Sequence, residues 1–128
     1  MALPELHAKA NAAIATAEAH LATGGGFAYS DVRQGVWTEG TAQGALLMGL
    51  LGRKKQAAAL LKAAAANRAP DGFYFATASG AMPTGFGLET DPTQPRLYFH
   101  LPHLAALAWV GLAQTRFNPF TGTRALPR

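Results

Sequence analysis

The sequence predicts an all-α protein built of two helical hairpin units, and three observations carry that expectation. Four segments place apolar residues at helical rather than alternating spacing. These segments are of two kinds that alternate along the chain, amphipathic and then apolar on nearly every side. The connections leading from the first kind to the second also match, since both GGFAYSD and DGFYFAT contain Gly-Phe-x-aromatic.

The first helix is expected from about Pro4, where a proline loses nothing by lacking an N–H, to Leu21, just ahead of Gly24-Gly25-Gly26. Leu6, Ala10, Ile14, Ala17 and Leu21 form its apolar stripe, with His7, Lys9, Asn11 and Glu18 outside it. The second helix begins near Thr38, the expected N-cap, and stops at Gly52. The third runs from Arg53 to Asn67, with Ala57, Leu60, Leu61 and Ala64 opposite its lysines. The fourth begins near Leu101-Pro102 and ends before Asn118-Pro119. The second and fourth are apolar nearly all round, so each is expected to be buried on every side. Outer and inner helices then alternate, as in about one third of an α/α toroid, with four main helices whose inner members open their N-termini at one mouth. The connection from Arg68 to His100 is too long for a plain turn, and ordered loops of that length usually carry function.

A length of 128 residues predicts a single domain over 1–128 with a modest core. Charged residues make up 14% of the chain, against about a quarter in ordinary domains. A chain so short of surface charge hides more surface than a monomer can. A homo-oligomer, dimer or trimer, is therefore expected, with second- and fourth-helix residues at its interface. The net charge of +4 invites a nucleic-acid reading, but the arrangement argues against one. Arg53, Lys54, Lys55 and Lys62 surround one helix, Arg116, Arg124 and Arg128 belong to the tail, and no basic run is interleaved with aromatics. Cysteine is absent, which removes disulfides and thiolate chemistry and leaves the redox compartment open. The N-terminus lacks the pattern of a signal peptide. The longest apolar runs, around Leu46–Leu51 and Leu104–Leu112, are about half of the ~20 residues a spanning helix needs. The expectation is a soluble chain with no membrane partner, cytoplasmic if complete.

Five segments, VWTEGTAQGALLMGLLG, PDGFYFAT, PTGFG, RLYFHLPHLAALAWVGLA and FNPF, together resemble the last part of six-hairpin, (α/α)6-barrel proteins. In that superfamily a W-x-E-G-T-x-Q inner helix is followed by a D-G-x-x-x-A-T loop. A second inner helix of the type x-x-H-x-A-A-x-A-W precedes a terminal N-P-F. The resemblance spans about Gly26 to Phe120 and implies a carbohydrate-binding or carbohydrate-processing module with its site at the N-terminal ends of the inner helices. If it is an enzyme, the activity implied is of glycoside hydrolase type. The chain departs from the pattern by holding only about a third of such a barrel and by having only 7 acidic residues.

Glu39, in the first turn of the second helix, is the candidate acid or sugar-hydroxyl acceptor. Its plain alternative is a brace interacting with the helix dipole. Asp31 and Asp71 occupy matching loops and are either turn residues or a base that activates water. Inverting glycosidases need two carboxylates about 6.5–9.5 Å apart, and Glu39 with Asp31 or Asp71 is the one pairing the sequence offers. Trp37, Gln43, Phe73, Tyr74 and Tyr98 are candidate ligand-binding residues, with Phe75, Phe86 and Phe99 beside them. Flat aromatic faces stack on the C–H surfaces of sugar rings, although packing beneath long loops uses the same residues. Trp109 is expected in the core. His100 and His103, three apart, share a helical face. No further ligand lies near enough for a metal, so both count as ligand-binding candidates or as hydrogen-bonded histidines at a helix start. Arg96 suits a carboxylate such as a uronate or ties down the long loop. The Gly24–Gly26 run lacks the Lys-Ser/Thr ending of a phosphate loop, so neither cofactor nor metal is expected. The partner expected is a carbohydrate or other small molecule. Two further readings stand beside it: a non-enzymatic helical assembly or interaction module that keeps only the packing motifs, and a binder of small apolar ligands between the inner helices.

Overall fold

The computed structural model describes residues 4–124, with side chains from residue 7 onward. The expectations placed on the Leu6 side chain and on Arg128 lie outside the described residues. In chain order the elements are α1 (Pro4–Leu21), β1 (Ala22–Thr23), β2 (Gly26–Phe27), α2 (Thr38–Leu50), α3 (Lys54–Ala65), β3 (Met82–Gly87), β4 (Pro95–Tyr98), α4 (Leu104–Thr115), β5 (Phe117–Asn118) and β6 (Thr123–Arg124).

The all-α expectation is overturned. Beside the four helices stand six short strands in three antiparallel two-stranded sheets, β1–β2, β3–β4 and β5–β6, so the protein is mixed α/β. The partial α/α toroid falls with it. The reason is chemical. β2, β3 and β4 contain glycine or proline, residues that ordinarily mark turns and strand edges, and β1, β5 and β6 are two residues long, too short to show alternation. The β1–β2 turn uses Gly24 and Gly25 at φ 52° and 80°, conformations that glycine reaches without a Cβ penalty. β3 reads Met-Pro-Thr-Gly-Phe-Gly, and its pairing with β4 shifts register between Pro83 and Gly87.

α2 is the central element, packed on α3, α4 and β2 and more lightly on α1. One apolar cluster gathers Ile14 of α1, Phe27, Leu46 and Met48 of α2, and Leu60 of α3. The other joins Ala42, Ala64, Tyr74, Ala106 and Val110. Trp109 packs against both and is half-buried. Only α2 meets the expectation of burial along its length, because three helices surround it. In α4 the buried residues are Ala106, Val110 and Ala113, while Leu104 is 71% exposed. The expectation that α4 is covered on every side is therefore corrected, since none of the described elements lies over its outer face.

Basic side chains bind α1 to the rest. Arg33 donates from Nε to the His20 carbonyl (2.8 Å) and from Nη2 to the Ala19 carbonyl (2.7 Å), closing the helix C-terminus. Arg53 donates from Nη2 to Asn11 Oδ1 at 2.7 Å. Among the described residues, no helix is long and apolar enough to cross a membrane.

Candidate functional site

α2 and α4 begin in the same way. Their N-cap residues, Trp37 and His103, have extended backbones and no side-chain cap. Trp37, not the expected Thr38, holds the cap position of α2. A preceding aromatic residue supplies the backbone partner in each case: Trp37 N–H donates to the Phe27 carbonyl (2.7 Å) and His103 N–H to the Tyr74 carbonyl (2.9 Å). Phe27 and Tyr74, 5% and 8% exposed, are thus the equivalent residues. The true register of the two connections lies one position away from the Gly-Phe match in their sequences.

The long connection is laced between these two helix starts. Residues 74–78 make isolated antiparallel bridges, with Thr38 N–H donating to the Ala76 carbonyl and Ala78 N–H to the Val36 carbonyl, both at 2.9 Å. On the other side Ala76 N–H donates to the Leu101 carbonyl at 2.9 Å. This short antiparallel lacing fixes the N-terminus of α2 beside that of α4.

Polar residues at the start of α2 divide by task. Thr38 and Thr41 are fully buried. Thr41 Oγ1 accepts from Phe27 N–H (2.9 Å) and donates to the Trp37 carbonyl (2.7 Å). Thr38 Oγ1 accepts from Asn67 Nδ2 at 2.8 Å. Both hydroxyls are structural cross-links. Glu39 and Gln43, one turn apart and half-buried, bond to each other, Gln43 Nε2 donating to Glu39 Oε1 at 3.2 Å. Between them Gly40 makes room for the indole of Trp37, which a Cβ at that position would penetrate. At Gly44 a Cβ would fall 2.5 Å from Phe27 Cε2.

With the indole so fixed, an aromatic cluster forms over the helix starts. Tyr29 meets Trp37 edge-on at 4.9 Å and stacks on Tyr98 at 5.3 Å with the planes 26° apart. Tyr98, delivered by β4, stands edge-on to Trp37 (6.4 Å) and to His103 (5.7 Å). Burial pushes the Tyr98 phenol above its ordinary value, and the Glu39 carboxylate and Tyr29 act in the same direction. The Trp37 N–H opposes them, lying near enough to favour the phenolate. It does not reach hydrogen-bond geometry: Trp37 Nε1, His103 Nδ1 and Ser30 Oγ are buried polar atoms with no hydrogen-bond partner among the described residues. Two belong to the cluster, while the Ser30 side chain lies against Gly85 of β3. Buried polar groups nearly always pair, so two orphans among one set of rings single out this place.

Of the candidates read from sequence, Trp37, Tyr98 and His103 come together here, with Glu39 and its partner Gln43 beside them. The others do not join. Tyr74 lies in the core among Ala42, Ala64, Ala106 and Val110, so its platform role is corrected. Phe73 is 39% exposed on the loop. Asp71 accepts from Phe73 N–H at 3.0 Å as a turn residue and is exposed. Asp31 is also exposed, in the turn closed by Arg33 N–H and the Ser30 carbonyl. Arg96 pairs with Glu89 at 3.2 Å across the β3–β4 hairpin, both being well exposed. His100 bonds through Nδ1 to the Thr77 carbonyl and stacks on Phe75 at 3.9 Å, so the two histidines diverge instead of sharing a face. Among the described residues no group of three or more His, Asp or Glu could hold a metal ion. Tyr29 is the residue that sequence reasoning missed. The available signal was its place in GGFAYSD, the connection already matched to DGFYFAT.

A separate cleft of about 420 Å³ opens between α1, the β1–β2 turn and α3, lined by Glu18, Phe27, Met48, Gln56 and Leu60 among others. It contains none of the candidate residues.

No family model matches this chain, and no curated protein or solved structure matches it. The glycosidase character implied by the toroid resemblance therefore has no family support.

Proposed function

We propose that the aromatic cluster over the N-terminal ends of α2 and α4 binds a small polar ring compound of the carbohydrate class. The observation that carries this reading is the pair of unpaired buried polar atoms, Trp37 Nε1 and His103 Nδ1, among the rings of Tyr29, Trp37 and Tyr98. A sugar offers what both parts lack, namely hydroxyls that donate and accept, and C–H faces that lie on aromatic rings. The Glu39–Gln43 pair adds a carboxylate and an amide at the edge of the same site. Binding rather than hydrolysis is the activity proposed, because Asp31 and Asp71 stand on exposed turns, Asp71 being engaged by Phe73 N–H.

A second reading has its own observation. The stacked Tyr29–Tyr98 pair and the edge-on Trp37 occupy one another's faces, as in a latch that holds the β3–β4 hairpin on the helix starts. The protein would then be a non-enzymatic interaction module. Trp37 fluorescence, read in a Trp109→Phe background, separates the two. Titration with a panel of mono- and oligosaccharides should give a saturable change that Glu39→Gln weakens without loss of helical circular dichroism. Emission indifferent to every sugar leaves the latch as the reading.

A further inference from the structure

The outer side of α4 has no task inside the protomer. With Ala106, Val110 and Ala113 turned to the core, helical geometry puts Leu104, Ala108, Gly111 and Thr115 on the opposite side. Leu104 is 71% exposed, and Leu101, in the extended stretch just ahead of the helix, is 61% exposed. Phe99 (57%) is exposed in the same approach to the helix, and Phe120 (85%) is set against Trp109. Thr115 does not interrupt the outer side, because its hydroxyl donates back to the Gly111 carbonyl at 2.9 Å. From Leu97 to Thr115 the chain has no Asp, Glu, Lys or Arg.

Gly111 is the second, independent observation. A glycine inside a helix costs about 1 kcal/mol relative to alanine. Gly40 and Gly44 are accounted for by the rings of Trp37 and Phe27, whereas a Cβ at Gly111 would meet nothing within 4 Å. The protomer does not require a glycine here. A glycine there leaves room for the close approach of another backbone.

We propose that this face pairs with the same face of a second copy, α4 against α4, antiparallel across a two-fold axis near Ala108 and Gly111. The occupant is argued from charge, shape and area. Each chain carries a net charge of +4, so two copies repel over most approaches, and along the uncharged α4 face they meet without opposing like charges. An antiparallel crossing sets the bulky Leu104 end of each helix over the small-residue end of its mate, and closed two-fold pairing is the commonest symmetry. The four most exposed side chains offer on the order of 500 Å², near the top of the roughly 300–600 Å² patch of a typical monomer. Flanking Leu107, Ala108 and Leu112 carry the face toward the ~800 Å² per partner of a stable interface. The inference is independent of the sugar site, whose residues it does not use.

Sedimentation equilibrium on the whole chain tests it. The mass should rise with concentration from 13.4 kDa to twice that value. Ala108→Glu and Gly111→Leu, both outward, should weaken the association at least about tenfold. Ala15→Glu on the exposed side of α1 should not. Leu104→Lys provides a further outward probe if either α4 variant loses its helical circular dichroism. A mass of one chain at the highest soluble concentration overturns the proposal. So does association that all α4 variants leave intact, or a mass of three chains.

Discussion

Thr41 is closed off from water, yet its hydroxyl serves both β2 and the N-cap of α2. Thr41→Val keeps the volume and strands the Phe27 N–H in the interior. The expected loss is about 1–3 kcal/mol, read by urea unfolding, with Thr41→Ser retaining most of the stability. Tyr98 makes the second prediction at this scale. Its phenol is raised mainly by burial, so the native state holds the proton more tightly than the unfolded chain does. Stability is therefore fully present below the ordinary tyrosine value of about 10 and declines as pH rises from there through the native value. Melting curves taken along the alkaline limb should show this decline softened in Tyr98→Phe.

At the scale of elements, the helical glycines Gly40, Gly44 and Gly111 have different roles, and alanine should distinguish them. Gly→Ala inside a helix ordinarily stabilises by roughly 0.5–1 kcal/mol. At Gly40 and Gly44 the methyl group collides with Trp37 or Phe27, and overpacking there should instead cost about 1–3 kcal/mol. Gly111→Ala, in open space, should show the ordinary gain when thermal unfolding is followed in dilute solution. The same elements show what the sequence could disclose. α1 occupies Pro4–Leu21 as its stripe and flanking residues predict, and α2 starts at Thr38. α4 starts three residues later than Leu101 because 101–103 are committed to extended pairing with 74–76. The strands escaped notice because glycine and proline at β3 carry no alternation. The site was partly readable. Trp37, Glu39 and His103 stand at helix starts, whose polar residues break an apolar run. Tyr74 and Tyr98 could not be told apart, since one enters the core and the other the cluster through tertiary packing alone.

Taken whole, the molecule is held at one end by residues 74–78, whose partners come from both helix starts. Amide exchange should be as slow at Phe75, Ala76 and Ala78 as in α2, and fast over the exposed residues 79–81. Exchange as quick at Ala76 as at Gly80 would mean that the lacing opens independently of the core. The lacing also bears on the order of folding. Its bonds join Val36 and Thr38 to residues near 76, and those residues in turn to Leu101, so each closes a long stretch of chain before it returns any stabilisation. It is thus a late event, formed after α2, α3 and α4 have condensed. Weakening it through Asn67→Ala, which removes the bond to Thr38, should leave the refolding rate nearly unchanged and speed unfolding. The segment that aligns the helix starts then sets how long a folded molecule lasts, and has little influence on how quickly one is made.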